Sequence, residues 1–176
     1  NHVSALDTIA LAPILNKNNF TYVVKKSLMQ WKSFPFNLGC RTSWCIPVSR
    51  EANNGDFAIM IDECKLRFGK NVSVLIFPKG TREKELAKSA DIPATGLLLA
   101  KKLKCDVLPV FFDTLNWQNG RIIKDTGLIK SGTVKIHIGK LIPAEQITTI
   151  KGTHTEILQF FQECIKLSSN TTSLQL

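Results

Sequence analysis

Short apolar runs that resemble β-strands alternate with helical patterns along the chain, and this alternation restricts the fold more than any other feature. Runs rich in β-branched and aromatic residues are typical of buried strands, whereas apolar residues spaced by three and four are typical of helices. The strand-like runs lie at 20–24, 44–48, 72–77, 107–112 and 134–138. The helical patterns lie at 7–15, 54–68, 94–104 and from Thr153 onward, where Thr153 and Glu156 have the spacing of a capping box. Helices between apolar strands predict an α/β fold, with a largely parallel or mixed central sheet flanked by helices.

Length and composition indicate one globular domain. The chain has 176 residues, of which 44% are apolar and 21% are charged, and this balance excludes general disorder. We expect a single domain over residues 1–167 and a frayed tail over residues 168–176, where the sequence turns polar. No apolar run approaches the ~18 residues that a membrane-spanning helix needs.

A net charge of +9, from 23 Lys and Arg against 14 Asp and Glu, indicates an anionic partner. The excess is uneven, because residues 1–50 hold six basic groups and one acidic group. Nucleic acid, a membrane surface and a phosphorylated small molecule would all fit such a charge. A nucleic-acid-binding module is the less favoured alternative, since the sequence has no recognition-helix, zinc-finger or RNP signature, and no nucleic acid is expected as a partner.

The cysteines indicate neither a disulfide framework nor a metal site. There are five, an odd number, with no CxxC pair and no Cys/His cluster at zinc spacing. Cys64 and Cys164 fall on apolar stripes, where buried thiols are expected. This usage fits a reducing compartment.

A histidine and an aspartate stand in the block NHVSALD at residues 1–7. Histidine titrates near neutrality and acts as a general base when an acceptor such as a carboxylate holds its other ring nitrogen. Five residues correspond to about 500° of α-helix, so His2 and Asp7 would not share a helix face. They can meet if His2 lies in a loop and Asp7 in the first turn of the following helix, where the helix dipole favours it. Taken alone, the pair is also explained by a helix-capping Asp beside an unrelated His.

Two further segments place an arginine just after a strand-like run. In FPKGTR, Gly80 permits close backbone approach, Thr81 offers a hydroxyl and Arg82 offers a bidentate fork for phosphate. Arg50 ends a similar segment, IPVSR. Ligands of α/β folds gather beyond the carboxyl ends of strands, so both segments are candidate phosphate contacts. A Pro-Gly turn with solvated arginines is the alternative.

Taken together, these blocks resemble the glycerolipid acyltransferase family, whose best-known members are the 1-acylglycerol-3-phosphate acyltransferases. Their order and spacing agree with that family from residue 1 to about residue 143. The matching blocks are NHVSALD at 1–7, KKSL at 25–28, IPVSR at 46–50, FPKGTR at 77–82 and VLPV at 107–110.

The resemblance implies transfer of a fatty acyl group from acyl-CoA or acyl carrier protein to the free hydroxyl of a lysophospholipid. The most direct acceptor is lysophosphatidic acid, which gives phosphatidic acid. His2 would be the general base, Asp7 its orienting partner, and Pro109 part of the site wall. The residues implied for the acceptor's phosphate are Arg50, Gly80, Thr81 and Arg82. No covalent acyl-enzyme, cofactor or metal is implied, because the thioester is already activated and the acceptor supplies the oxygen.

The sequence departs from the family pattern at two positions. Lys79 stands where the family usually has Glu, and Thr95 stands where a basic residue usually precedes the glycine that matches Gly96. Lys79 is therefore open to several interpretations: a side chain in solvent, a substrate contact for a changed acceptor, or the mark of a weak or inactive lipid-binding relative.

Residues 28–38 are apolar and aromatic, and basic side chains flank them. With Lys25, Lys26 and Trp31, this segment would dock on an anionic bilayer, line the acyl channel or form ordinary core. The resemblance favours membrane association, and the cysteine usage favours a cytosol-facing location. The family normally has apolar helical sequence before its histidine block, which is absent here, so we expect the catalytic domain of a longer protein.

Overall fold

The structure, a computed structural model, describes residues 1–4, 6–11, 19–30, 36–49, 54–80, 82–83, 85–117 and 130–172. The α-helices are α1 (Leu6–Leu11), α2 (Phe36–Thr42), α3 (Asn54–Phe68), α4 (Thr95–Leu103) and α5 (Ile150–Thr172). The strands are β1 (Phe20–Lys25), β2 (Ile46–Val48), β3 (Ser73–Leu75), β4 (Val110–Asp113) and β5 (Lys135–Ile138). Short 3₁₀ helices lie at Lys26–Met29, Leu86–Ala90 and Ala144–Gln146. Two compact units result, one from Asn1–Pro13 with Pro78–Leu176 and the other from Ile14–Phe77.

The Ile14–Phe77 unit contains a parallel sheet of three strands within its described residues. β1 lies in the middle and pairs in parallel with β2 and with β3, with Val23 opposite Ile46. β2 has one neighbour in this sheet, and that edge position suits Pro47, which has no N–H to donate. α3 packs against β2 and β3 and buries Cys64. Parallel strands covered by a helix are what the alternating sequence pattern predicted.

In the other unit, α5 packs against β4 and against α4, and β4 pairs antiparallel with β5. Phe111 of β4 is fully buried, and its ring meets Phe161 of α5 edge-on at 5.5 Å between centroids. Ile157 and Cys164 lie on the same buried stripe of α5. The inward face predicted for this helix is therefore confirmed, and it fixes β4 against the core.

The start of α5 differs from the prediction. The helix begins at Ile150, and Thr149 caps it, since its Oγ1 accepts the N–H of Gly152 at 3.3 Å. Thr153 Oγ1 instead donates to the Thr149 carbonyl at 3.1 Å, so the capping box at Thr153 is wrong. Thr149 offers the same hydroxyl one turn earlier, and the helix gains that turn. At its other end α5 continues through the buried Ser168, where a tail was expected to begin.

Other elements differ in length from the predictions. β3 is shorter than the run at 72–77, and β4 begins at Val110, while Val107 makes an isolated antiparallel bridge with Ile142. α2 had no counterpart in the sequence pattern. α1 is described as far as Leu11, and the rest of its predicted range lies outside the described residues. In the part of the chain that the structure describes, no helix is both long and apolar enough to cross a bilayer.

Candidate active site

His2 and Asp7 meet in the geometry that their spacing allows. His2 lies in the loop before α1, Asp7 lies in the first turn of that helix, and His2 Nδ1 is 2.7 Å from Asp7 Oδ2. Since a carboxylate only accepts, Nδ1 carries the proton and the basic lone pair is on Nε2. The His2 side chain is 13% exposed, whereas Asp7 is fully buried. The pair therefore has a buried orienting carboxylate and an imidazole close to the surface.

Three further donors hold the Asp7 carboxylate in place. The backbone N–H groups of Val3 and Ser4 donate to Oδ2 at 2.7 and 3.1 Å, and the Thr114 hydroxyl donates to Oδ1. Ser4 Oγ in turn donates to Thr114 Oγ1 at 2.8 Å. Ser4 and Thr114 are both fully buried. A carboxylate with four donors on two oxygens has one orientation, and it fixes the tautomer and direction of the imidazole.

Asn1 attaches this loop to β4. Its side-chain amide donates to the Phe112 carbonyl at 2.8 Å, and its Oδ1 accepts the Phe112 N–H at 2.6 Å. The loop is therefore bound to the β4 segment at Phe112 and, through Thr114, just beyond the end of β4. Sequence reasoning missed Asn1, Ser4 and Thr114. The available signals were the NHVSALD block, which contains Asn1 and Ser4, and the position of Thr114 shortly after a predicted strand.

The FPKGTR segment also meets the His2 loop. The Glu83 N–H donates to the His2 carbonyl at 3.0 Å. The backbone of the neighbouring residue, Arg82, is therefore close to the histidine. Gly80 has φ of +67°, a left-handed conformation that glycine adopts without strain. At Gly96, in the first turn of α4, a Cβ would lie 3.8 Å from the Pro78 ring. The segment from Pro78 to Glu83 therefore contacts both the His2 loop and the start of α4.

The Lys79 side chain is neither fully exposed to solvent nor unpaired. Its ammonium lies 2.7 Å from Glu83 Oε1 and donates to the Lys88 carbonyl at 3.3 Å. The side chains of Lys79 and Glu83 are 30% and 20% exposed. The extra positive charge at this position is therefore balanced within the same segment.

A sequence model of the family described as Acyltransferase matches residues 1–113, well over half of the chain. The chain belongs to the acyltransferase family. The match includes the His2 loop, the FPKGTR segment and β4, which are the three parts that the hydrogen bonds above join.

The fold is also that of a solved acyltransferase. The structure is similar to the crystal structure of the 1-acyl-sn-glycerophosphate (LPA) acyltransferase PlsC from Thermotoga maritima, with a TM-score of 0.67 and 18% sequence identity. The similarity covers 96% of this chain and 64% of PlsC, so the chain spans less than two thirds of that protein. It confirms the predicted α/β class with a parallel sheet flanked by helices. No curated protein sequence matches the chain.

The structure describes three other predicted site residues of this acyltransferase-family chain, Lys25, Lys26 and Pro109. Lys25, at the end of β1, and Lys26 are exposed in the Ile14–Phe77 unit. Pro109 is buried and lines a groove of about 310 Å³ with Ile142 and Phe160. The predicted residues that lie outside the described part of the chain are Trp31, Arg50 and Thr81.

The thiols are poor candidates for a covalent acyl carrier. Burial, reinforced by neighbouring Cys45, raises the pKa of the Cys40 thiol to about 11. Burial also raises the pKa of Cys105 and of Cys164. A thiol attacks as the thiolate, so these three hold less of the reactive form near neutral pH than an ordinary cysteine does. Among the described residues, no cluster of three or more His, Cys, Asp or Glu side chains has the geometry of a metal site.

Proposed function

We propose that this protein transfers a fatty acyl group from an acyl thioester, acyl-CoA or acyl carrier protein, to the free hydroxyl of a lysophospholipid. The best acceptor is lysophosphatidic acid, and the product is phosphatidic acid. The observation that carries the proposal is His2 held by a buried, fully hydrogen-bonded Asp7 in a chain of the acyltransferase family. PlsC, whose fold this chain shares, is a 1-acyl-sn-glycerophosphate acyltransferase, which supports the choice of acceptor.

The His2 and Asp7 geometry supports a general-base reaction in this proposal. Nε2 of His2 takes the proton from the acceptor's hydroxyl as its oxygen attacks the thioester carbonyl. Asp7, which accepts from Nδ1, stabilises the imidazolium that forms. When the tetrahedral intermediate collapses, the C–S bond breaks and the imidazolium returns the proton to the leaving sulfur. One C–O bond has formed, one thiol is released, and no acyl-enzyme, metal or cofactor takes part.

The acceptor's phosphate is bound by the segment next to His2. Arg82 offers a bidentate fork and Gly80 leaves room for close approach of an anion, with Thr81 and Arg50 as further contacts. The hydrogen bond from Glu83 to His2 supports this assignment, because it keeps Arg82 next to the general base. The start of α4 beside this turn adds a favourable dipole for an anion.

The substrates are amphiphiles, so we infer that the protein works at an anionic bilayer facing the cytosol. The exposed Lys25 and Lys26, together with Trp31, would meet the headgroups. The net charge of +9 suits that surface, and also an acidic acyl carrier protein.

An inactive lipid-binding relative was the alternative that Lys79 suggested. The ion pair with Glu83 weakens that case, because the segment keeps no net extra charge from the lysine.

Release of free thiol from acyl-CoA in the presence of lysophosphatidic acid tests the proposal. Loss of a positioned general base should lower the rate of His2→Ala by ~10²–10⁴-fold. His154→Gln is the matched control, since the His154 ring bonds a backbone carbonyl, that of Ile92, and this variant should keep the parent's rate. An unchanged rate in His2→Ala would overturn the mechanism. Binding of lysophosphatidic acid vesicles without thiol release would instead identify the inactive relative.

A further inference from the structure

Lys79 stands at the centre of a small clasp that the proposed mechanism does not use. We define the clasp as the Lys79 ammonium, the Glu83 carboxylate and the Lys88 carbonyl, joined at 2.7 and 3.3 Å. Lys79 lies beside Gly80, and Lys88 lies in the 3₁₀ helix Leu86–Ala90. One side chain therefore links three points of the segment from residue 79 to residue 88.

The clasp reaches the catalytic histidine through the backbone. Glu83, whose side chain pairs with Lys79, donates its N–H to the His2 carbonyl at 3.0 Å. This hydrogen bond connects the segment to the His2 loop. A substitution that displaces residue 83 therefore weakens the hydrogen bond that supports the His2 loop.

We propose that Lys79 is a positioning residue that holds Glu83 against the His2 loop, and that it is not a ligand of the acceptor's phosphate. Its ammonium already has an anionic partner and a carbonyl partner, and a cation so engaged has little left to offer a phosphate. Lys79 and Glu83 form an ion pair in this segment, with the lysine at position 79 and the acid at position 83. The inference rests on the proposed function for its kinetic test, but its geometry does not.

The clasp makes an unusual demand on substitutions. In Lys79→Glu, the usual family residue would face the Glu83 carboxylate and the Lys88 carbonyl, two acceptors that repel it. The family residue should therefore be harmful in this chain. Exchange of both charges, Lys79→Glu with Glu83→Lys, restores the attraction between positions 79 and 83 but not the contact with Lys88.

The kinetic experiment measures kcat and the acceptor KM of thiol release for four variants beside the parent. Lys79→Glu should lower kcat by roughly 10–100-fold, because small displacements of a catalytic loop are costly. The double exchange should recover most of that loss, and Lys79→Arg should stay within about 3-fold of the parent, since it keeps the charge and the donors. Lys79→Met, which removes the charge without adding repulsion, should fall between them and serves if Lys79→Glu fails to fold.

Two comparisons separate positioning from phosphate binding and from net charge. Arg82→Ala, at a proposed phosphate contact, should raise the acceptor KM more than it lowers kcat, whereas Lys79→Met should do the reverse. Lys65→Glu makes the same charge change in an exposed ion pair of α3 with Asp62 and should leave both constants unchanged. A raised acceptor KM with unchanged kcat in Lys79→Met would overturn the proposal, as would a double exchange no faster than Lys79→Glu.

Amide hydrogen exchange by NMR provides a test that needs no activity. The backbone N–H of residue 83 should exchange at least ~10-fold faster in Lys79→Glu than in the parent. It should regain its protection in the double variant, where residue 83 is lysine. Equal protection in all three would overturn the clasp. A parent that releases no thiol would refute the proposed function while leaving this measurement to decide the inference.

Discussion

The two segments that flank the histidine are held in opposite ways. On one side, the Asp7 carboxylate is fully buried and accepts four hydrogen bonds. On the other side, the Lys79 and Glu83 pair is 30% and 20% exposed, and water screens it. A buried group that loses a partner cannot turn to water instead, whereas a partly exposed pair can. We therefore expect position 7 to tolerate only Asp, whereas the lysine and the acid at positions 79 and 83 can exchange places.

Asp7→Asn should have the largest effect, and it tests whether the buried side is as intolerant as this comparison implies. An amide nitrogen placed at Oδ2 would face the donors of His2, Val3 and Ser4, and an amide nitrogen at Oδ1 would face the Thr114 hydroxyl. We expect kcat to fall by ~10³–10⁴-fold, as for the equivalent change in a Ser-His-Asp triad. Thiol-release kinetics and a thermal melt check it.

The matching change on the exposed side is Glu83→Gln. It keeps the backbone N–H that donates to His2 and an oxygen that can accept from Lys79. We expect its kcat to stay within about 3-fold of the parent, because the hydrogen bond that holds position 83 to Lys79 remains and only the charge of the acceptor is lost. If Asp7→Asn and Glu83→Gln lower kcat equally, the contrast between the two sides is wrong.

Thr114→Val should have an intermediate effect. The substitution keeps the shape but removes one donor to Asp7 and the acceptor for Ser4 Oγ. Leaving buried polar groups unpaired should cost about 1–3 kcal/mol of unfolding free energy, measured by denaturant titration. The rate should fall as well, because Asp7 loses part of its orientation.

Thr114→Ser is the control for that substitution, since it keeps the hydroxyl and removes only a methyl group. It should retain nearly all the activity of the parent. A serine variant as slow as the valine variant would mean that packing of the methyl group, and not the hydrogen bond to Asp7, explains the loss.

The elements that the sequence predicted best are those with a local signal. The bounds of α3 follow from apolar spacing along 54–68, and the α5 stripe follows from the same rule. The residue at which α5 begins was harder to predict. Thr149 and Thr153 offer the same hydroxyl, and only the structure shows which one caps the helix. α2 was missed because its seven residues contain a glycine and follow Pro35.

In the candidate site, too, local contacts could be predicted and long-range contacts could not. The contact between His2 and Asp7 could be predicted because five residues separate them and a loop followed by a helical turn brings them together. The bond from Thr114 to Asp7 joins residues 107 positions apart, and no local pattern reports such a contact. The family resemblance marked position 79 as a departure, but only the coordinates show that Glu83 balances it.

Gly80→Ala should have a smaller effect on activity than Asp7→Asn, and it sharpens the comparison by testing the backbone of the exposed side. Gly80 has φ of +67°, where an L-residue with a Cβ costs ~1–2 kcal/mol. Gly39→Ala in α2 is the same substitution at a site where a Cβ meets nothing within 4 Å, so better helix propensity should stabilise that variant by ~0.5–1 kcal/mol. Denaturant titration should therefore shift in opposite directions for the two variants. The acceptor KM should rise only in Gly80→Ala, because that backbone approaches the phosphate. If Gly80→Ala unfolds at the parent's midpoint, the turn beside Arg82 is not held in the left-handed conformation, and the exposed side is looser than the clasp requires.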